Sequence, residues 1–357
     1  MAVTINQQMS IPIVDFSAWS SGSVRQRQEI AQDLATACRS LGFVYIVGHG
    51  VSPELVHEAF DWSKKLYGLS HEDKMKAPHP PGPTPHRGYS HPGLEKVYSK
   101  QDAQGNAVEE SQGRSLRQVT DFKESYEIGS EENPAQPNVW LPEELLPGFR
   151  AFMTTFYWEL NDLASLILEA FSQGLNLTHS DRELFLGLHS GHNNQLRLLH
   201  YPPVPADKLE KQIIARMPAH TDWSSFTMLF QDDCGGLQLE NPNKEGHFIP
   251  ATPLPGALVL NIGDMLQRLS NDTFPSGTHR VTLPPLQEEK DGSRQITRAR
   301  YSIPYFVAPD ETAIIECLPS RVDEKHPAQY PPVMYREYGG MRSKYSYQQA
   351  PTNTAAE

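Results

Sequence analysis

The sequence predicts a mainly β chain with flanking helices, an α+β architecture around a double-stranded β-helix, or jelly roll. Two observations carry this. After Asn194, short apolar or alternating runs recur, separated by Gly, Pro, Asn and Asp, the pattern of two packed β-sheets. Before that point, the stretch from Pro147 to Leu175 repeats Phe152, Phe156, Leu160, Leu163 and Ile167 at near-helical spacing. This predicts a long helix with one apolar face, ended by Gly174.

Composition sets the outer bounds. A chain of 357 residues predicts one large domain with a helical N-terminal part. The net charge of -12 argues against nucleic acid or an anionic membrane as the main partner. The three cysteines, Cys38, Cys234 and Cys317, are an odd, scattered set without a Cys-x-x-Cys pair. No disulfide framework or zinc cluster is expected from them, and a reducing compartment is. The start lacks a basic segment followed by an apolar run, and no apolar stretch approaches the ~18 residues that span a bilayer. A cytoplasmic chain is therefore expected.

The first 175 residues read as a mixed α/β region. Ile11–Phe16 is a short strand, Val24–Ser40 a helix with Ile30, Leu34, Ala37 and Cys38 on one face, Gly42–Val47 a buried strand, and Pro53–Leu66 a further helix. His49, in Gly48-His49-Gly50-Val51, reads as a turn histidine. From Lys76 to Asn138 the pattern breaks at Pro80-Pro81-Gly82-Pro83 and Ser111-Gln112-Gly113, so a long structured loop is expected there, of a kind that often carries binding residues. Residues 176–320 read as the β core. Its strands are expected at Leu196–Tyr201, Ile213–His220, Phe226–Gln231, Leu237–Glu240, Ala257–Ile262, Thr278–Leu283, Arg300–Val307 and Thr312–Glu316. Residues 321–357 read as a C-terminal helix and tail.

Within the core, Pro218-Ala219-His220-Thr221-Asp222-Trp223 stands out. Residues i and i+2 of a strand point to one face, so His220 and Asp222 can occupy two sites on one metal ion. A third ligand from a distant strand, with His279 the candidate, leaves open positions. Two histidines and one carboxylate in that arrangement suit non-haem Fe(II) chemistry with oxygen. A lone His-x-Asp is weak in a chain with 14 His and 43 Asp plus Glu, and the strand-like runs on either side strengthen it.

A 2-oxo acid bound at such an ion needs a cationic fork for its far carboxylate, and the planar donors of arginine suit this better than lysine. Arg300 and Ser302 lie at i and i+2 of one strand. Arg298 shares the parity of Arg300, so periodicity leaves both open. Tyr201, before Pro202-Pro203, could add a phenol. The plainer readings are Arg300 in a surface ion pair, Tyr201 as a core phenol and Ser302 as an ordinary strand hydroxyl.

Taken together, these segments resemble the isopenicillin-N-synthase-like branch of the Fe(II)/2-oxoglutarate-dependent dioxygenases. The resemblance runs along nearly the whole chain: Ile11-Pro12-Ile13-Val14-Asp15, Gly42–Tyr45 with Gly48-His49-Gly50-Val51, Arg197–Pro203, then His220-Thr221-Asp222, Gly235-Gly236-Leu237-Gln238, Asn261–Asp264, Leu269-Ser270-Asn271, His279-Arg280-Val281 and Arg300-Tyr301-Ser302 in the family's order. It implies that His220, Asp222 and His279 are the catalytic iron ligands, and that Arg300 rather than Arg298, with Ser302, holds the far carboxylate of 2-oxoglutarate. Tyr201 is similar to the tyrosine that assists the cosubstrate, and Phe306 and Trp223 fall where substrate is contacted. The implied cofactors are Fe(II), 2-oxoglutarate and O2, and the N-terminal region would be of the non-haem dioxygenase type. Two departures stand out: Leu199 replaces a usual Asn, and Leu286–Arg294 is an added charged segment.

The expected function is oxygenation of a small organic substrate, a secondary-metabolite type of molecule, by hydroxylation, desaturation or oxidative cyclisation. Trp223, Phe226, Tyr305 and Phe306 suggest a partly apolar pocket. The expected partners are that substrate alone, with no nucleic acid or membrane, in a monomer or weak homo-oligomer. The alternatives are an iron oxidase that uses O2 without 2-oxoglutarate, and a non-catalytic jelly-roll binding protein.

Overall fold

The computed structural model describes residues 10–82, 84, 86–95, 120–210, 214–284 and 296–343. The Leu286–Arg294 segment, Ser111-Gln112-Gly113 and the tail after Ser343 lie outside them. In chain order the elements are β1 (Ile13–Asp15), α1 (Val24–Leu41), β2 (Phe43–Val47), α2 (Pro53–Gly68), α3 (His71–Lys74), β3 (Gly88–Ser90), β4 (Thr120–Asp121), β5 (Glu124–Ile128), α4 (Phe149–Gly174) and α5 (His179–Gly187). There follow β6 (Gln195–Tyr201), α6 (Ala206–Glu210), β7 (Ile214–Ala215), β8 (Met217–His220), β9 (Phe226–Gln231), β10 (Leu237–Glu240), β11 (Phe248–Pro250), β12 (Ala257–Ile262), α7 (Asp264–Leu269), β13 (His279–Val281), β14 (Arg300–Val307), β15 (Ile314–Ile315), β16 (Val333–Met334) and α8 (Tyr335–Ser343).

Local chemistry sets the first helices. Ser23 caps α1 by accepting the Gln26 N–H, and the Gln26 side chain returns a bond to the Ser23 N–H at 2.9 Å. Ser52 caps α2, whose first residue is Pro53, where no N–H is needed.

Among the described residues the strands form a large sheet, ordered β1-β2-β12-β9-β14-β6-β5-β3, and a small one, ordered β11-β10-β13-β8. Side chains alternate across each strand, which sorts them into two cores. Leu196, Leu198, Phe226, Met228, Leu258, Leu260, Ile303 and Tyr305 leave the large sheet on the side of α1 and α4. Phe43, Tyr45, Leu199, Tyr201 and Val259 leave it on the other side, where they meet Met217, Leu237, Leu239 and Val281 of the small sheet. The space between the sheets is the jelly-roll interior. Each fully buried aliphatic or aromatic side chain on the α4 stripe, Phe156, Leu160 and Ile167 among them, stabilises by about 1.5–3 kcal/mol.

Several expectations need correcting. Phe226 and Tyr305 do not face the pocket. Phe226 packs on Phe171 of α4 and Tyr305 on Tyr157, because their parity directs them to the helical side. The expected strand from Ile213 to His220 is broken at Arg216, which lies between β7 and β8. Asp222 is not on a strand, because β8 ends at His220. Gly174 is the last residue of α4, as expected, although the cap residue Leu175 is not left-handed, with φ -83° and ψ -8°. Its role is close approach: a Cβ there would run into the Ala31 carbonyl oxygen and stand 2.8 Å from the Ala35 Cβ, both on α1. The stretch from Lys76 to Asn138, expected as a loop, contains β3, β4 and β5, and the helices α3, α5, α6 and α7 and the strands β11 and β16 carried no signal strong enough to expect.

Two predictions follow from this packing. Gly174→Ala should push α4 off α1 and destabilise the fold by roughly 1–3 kcal/mol, read as a lower urea midpoint at unchanged m. The second concerns His189, whose Nδ1 meets the Phe185 carbonyl at 2.9 Å and whose Nε2 meets the Ser225 hydroxyl at 2.8 Å. Burial lowers this imidazole from 6.5 to about 4. A depressed histidine leaves stability whole above about 6.5 and removes it as pH falls toward 4, because the unfolded ring takes the proton first. His189→Gln should therefore show a shallower loss of thermal midpoint than the wild type between those pH values.

Candidate active site

His220 closes β8 and His279 opens β13, and these two residues pair directly across the small sheet. Their rings stand 4.3 Å apart. Asp222 arrives from the loop after β8. Its Oδ1 lies 3.9 Å from each Nε2, beyond hydrogen-bond reach and close enough for the three atoms to share one ion. Among the described residues this is the group of His, Cys, Asp and Glu side chains spaced to hold a metal.

The donors are oriented for that task. The His220 Nδ1 is 2.8 Å from the Pro218 carbonyl and the His279 Nδ1 is 3.2 Å from the Gly277 carbonyl. A carbonyl can only accept, so each Nδ1 carries the proton and each Nε2 presents a lone pair inward. Asp222 receives two bonds on Oδ2, from the Thr227 hydroxyl at 2.6 Å and the Asn261 amide at 2.7 Å, which leaves Oδ1 free. Burial, then the neighbouring His279, holds the His220 ring down to about 3. Burial pushes the Asp222 carboxyl up, but His279, His220 and its two donors outweigh it, and the group stays below the ordinary carboxylate range. Two neutral imidazoles and one carboxylate, with oxygen and nitrogen donors only, fit a divalent first-row ion such as Fe(II).

The site opens into a cavity of about 550 Å³ that runs along β14. Arg300, Ser302, Pro304 and Phe306 alternate into it, and Tyr201 and Leu199 of the adjacent β6 join them. Arg300 is 1% exposed; it donates to the Gly235 carbonyl at 3.1 Å and to the Ser302 hydroxyl at 2.9 Å. Its guanidinium carbon lies 5.1 Å from the centre of the Tyr201 ring. Arg298 turns outward instead and pairs with exposed Asp233 at 2.6 Å, which separates the two arginines that periodicity left open. Phe306 and Trp223 both line the cavity.

Other residues of the site had no role assigned to them from the sequence. Thr227 had no signal at all, and Asn261 was visible only as part of a recurring segment. The stretch before β3 supplies His86 and Arg87 to the wall, the segment after β3 supplies Glu95, and the loop after β5 supplies Gln136. Behind them sits a buried ionic network: Glu95 meets the Lys123 ammonium at 2.9 Å and Arg197 at 3.3 Å, and Arg197 also meets Glu127 at 2.8 Å. The helix α8 closes another side. Its Arg342 pairs with Asp264 at 2.5 Å and donates to the Thr221 carbonyl at 3.1 Å, between the two residues of the His-x-Asp pair.

Comparison with known proteins agrees with this geometry. Residues 11–143 match the family described as non-haem dioxygenase in morphine synthesis N-terminal, and residues 192–309 match the 2OG-Fe(II) oxygenase superfamily. The chain is 36% identical over 324 residues to a 2-oxoglutarate-dependent dioxygenase of Aspergillus rugulosus, covering 90% of this chain and 94% of that one. It is 33% identical over 349 residues to a 2-oxoglutarate-dependent dioxygenase of Aspergillus flavus, covering 94% of each. Among solved structures, a full-length Neurospora crassa protein in complex with alpha-KG and thymine superposes with a TM-score of 0.80 at 34% identity, over 95% of this chain and 97% of that one. These similarities give no support to an oxidase that dispenses with 2-oxoglutarate. The chain belongs to the 2OG-Fe(II) oxygenase superfamily and is a dioxygenase that uses Fe(II), 2-oxoglutarate and O2.

Proposed function

We propose that His220, Asp222 and His279 are the iron ligands, that Arg300, Ser302 and Tyr201 hold 2-oxoglutarate, and that Phe306 and Trp223 contact a small organic substrate. One observation carries this reading. Three inward-facing donors and a buried guanidinium without a carboxylate partner among the described residues line the same cavity. A ferrous ion bound there supplies oxygen activation coupled to the decarboxylation of 2-oxoglutarate to succinate and CO2.

The chain's own residues do the rest. Thr227 and Asn261 hold Asp222 through Oδ2, so that Oδ1 would be the atom offered to a metal. Arg300 and Ser302 present adjacent donors to the far carboxylate of the oxo acid, in a site where burial strengthens the interaction. Phe306 and Trp223 give an apolar surface that orients the substrate and excludes water. The product is a hydroxylated, desaturated or cyclised small molecule of secondary-metabolite type. Support for a small substrate comes from the cavity volume of about 550 Å³, and from the Neurospora crassa neighbour, whose complex contains thymine.

The remaining parts of the reading rest on bulk properties. The net charge of -12 supports the absence of nucleic acid and membrane partners. Three buried free cysteines support a reducing, cytoplasmic setting, and no described helix is long and apolar enough to cross a membrane. We read residues 1–175 as the N-terminal region, 176–320 as the oxygenase core and 321–357 as a C-terminal helix and tail, in a monomer or weak homo-oligomer. The matched segments 11–143 and 192–309 fall within the first two parts.

Three sets of variants separate the roles. His220→Ala or Asp222→Ala should weaken Fe(II) binding and abolish succinate formation, and full turnover in either would remove the ligand assignment. Arg300→Gln should raise the 2-oxoglutarate KM sharply with Fe(II) affinity kept; an unchanged KM would remove the cosubstrate assignment. Asn261→Ala leaves Asp222 less fixed and should lower Fe(II) affinity by roughly 10–100-fold, measured by anaerobic titration.

A further inference from the structure

Five arginine side chains are buried among the described residues: Arg87, Arg197, Arg216, Arg300 and Arg342. All but Arg216 line the cavity. A buried guanidinium is costly unless an anion faces it, so the partner of each is informative. Arg197 has Glu95 and Glu127, and Arg342 has Asp264. The other two cavity-lining arginines, like Arg216 outside the cavity, have no carboxylate within ion-pair distance among the described residues. Arg300 is one. Arg87 is the second: its Nε donates to the Gln136 carbonyl at 3.2 Å, its Nη1 to the His86 carbonyl at 2.7 Å, and its Nη2 makes no hydrogen bond among the described residues.

The Arg87 position is built rather than incidental. The side chain is 2% exposed. Its guanidinium packs directly against Gly129, where a Cβ would collide with Nη2 and stand 2.7 Å from Nε. It also lies at the opposite end of the cavity from Arg300. Ile128 pairs with Leu196, so Gly129 lies level with Gln195, which pairs with Phe306. Arg300 pairs with Tyr201, six residues away along β14, or roughly 20 Å at ~3.3 Å per residue. The adjacent His86 ring is 5.8 Å from Trp223, which follows Asp222.

We propose that Arg87 is a specificity-determining residue, and that the substrate is a small organic acid whose carboxylate it binds while the apolar body lies against Phe306 and Trp223. This rests on the reading that Arg300 serves 2-oxoglutarate, which leaves the second unpaired guanidinium to the other reactant. Arginine in such a place favours a two-oxygen anion over a neutral carbonyl, because two charge-assisted bonds can form at once.

The test compares matched acids and primary amides: phenylacetate with phenylacetamide, and N-acetyl-L-tryptophan with its amide. Each is titrated by ligand-detected NMR into the full chain loaded with Zn(II), with and without 2-oxoglutarate, and 2-oxoglutarate is titrated separately. With 2-oxoglutarate bound, at least one acid should bind about tenfold or more tightly than its amide, a difference of ~1.4 kcal/mol. Arg87→Gln should reduce that ratio to below about twofold with 2-oxoglutarate affinity unchanged. Arg87→Lys should retain part of it. Gly129→Ala, which displaces the guanidinium but keeps the charge, should lower it in a chain whose melting profile matches the wild type. Equal binding of acid and amide, binding of neither, or an acid preference that survives in Arg87→Gln overturns the proposal. An acid preference that depends on Arg87 in a chain that fails to bind 2-oxoglutarate upholds the anion site and defeats the cosubstrate assignment instead.

Discussion

The hydrogen bonds that Thr227 and Asn261 make to Asp222 are the constraint on which the site depends. Asp222 sits on a loop, and a carboxylate on a loop turns to water unless something holds it. The two donors that hold it belong to neighbouring strands of the large sheet and are direct partners, Asn261 opposite Thr227. Their inward direction follows from the register of β9 and β12. That register is set in turn by Phe226, Met228, Leu258, Leu260 and Ile262, which must face the helices. A slip of one residue would exchange the two faces, burying Thr227 and Asn261 under α4 and leaving Asp222 without either bond. The apolar packing of the sheet on its helices therefore decides where a polar side chain points on the other face.

Charge is distributed along the cavity in a similarly consequential way. The stretch from β4 to β6, with Glu95 from the segment after β3, buries Glu95, Lys123, Glu127 and Arg197 in mutual contact, so each cation there already has an acid. Burial opposes the Glu95 charge, but Arg197 and Lys123 overcome it and keep the carboxyl well below its usual range. This network forms a wall of paired charges. The buried cavity-lining guanidinium groups without a carboxylate partner among the described residues lie elsewhere, in Arg87 and Arg300. The other two buried arginines of the cavity, Arg197 and Arg342, are paired with acids.

Much of this was legible in the sequence, for identifiable reasons. The strands Phe226–Gln231, Leu237–Glu240, Ala257–Ile262 and Arg300–Val307 were read with their bounds as observed, because alternation and flanking turn residues are local signals. The pairing of Arg300 with Ser302 on one face was readable from strand period alone. Period alone left Arg300 and Arg298 open, since both share parity; the family resemblance favoured Arg300, and in the structure Arg298 turns to Asp233. The argument that put His220 and Asp222 on one strand face reached the right neighbours by an incomplete route, because the strand stops between them. What stayed hidden depends on long-range pairing: Thr227 beside Asn261, Gly129 beneath Arg87, and Arg342 at Thr221, some 121 residues apart in sequence. No window of sequence contains both members of such a pair.

The anchoring of α8 carries a consequence for biosynthesis. Arg342 reaches back to Asp264 and to the backbone between the two residues of the His-x-Asp pair, so that loop lacks one of its supports until the ribosome has released nearly the whole described chain. A nascent chain with its jelly roll already assembled would still hold the loop loosely. Ordering of the His220–Asp222 segment would then be complete only once a helix some 121 residues downstream has docked.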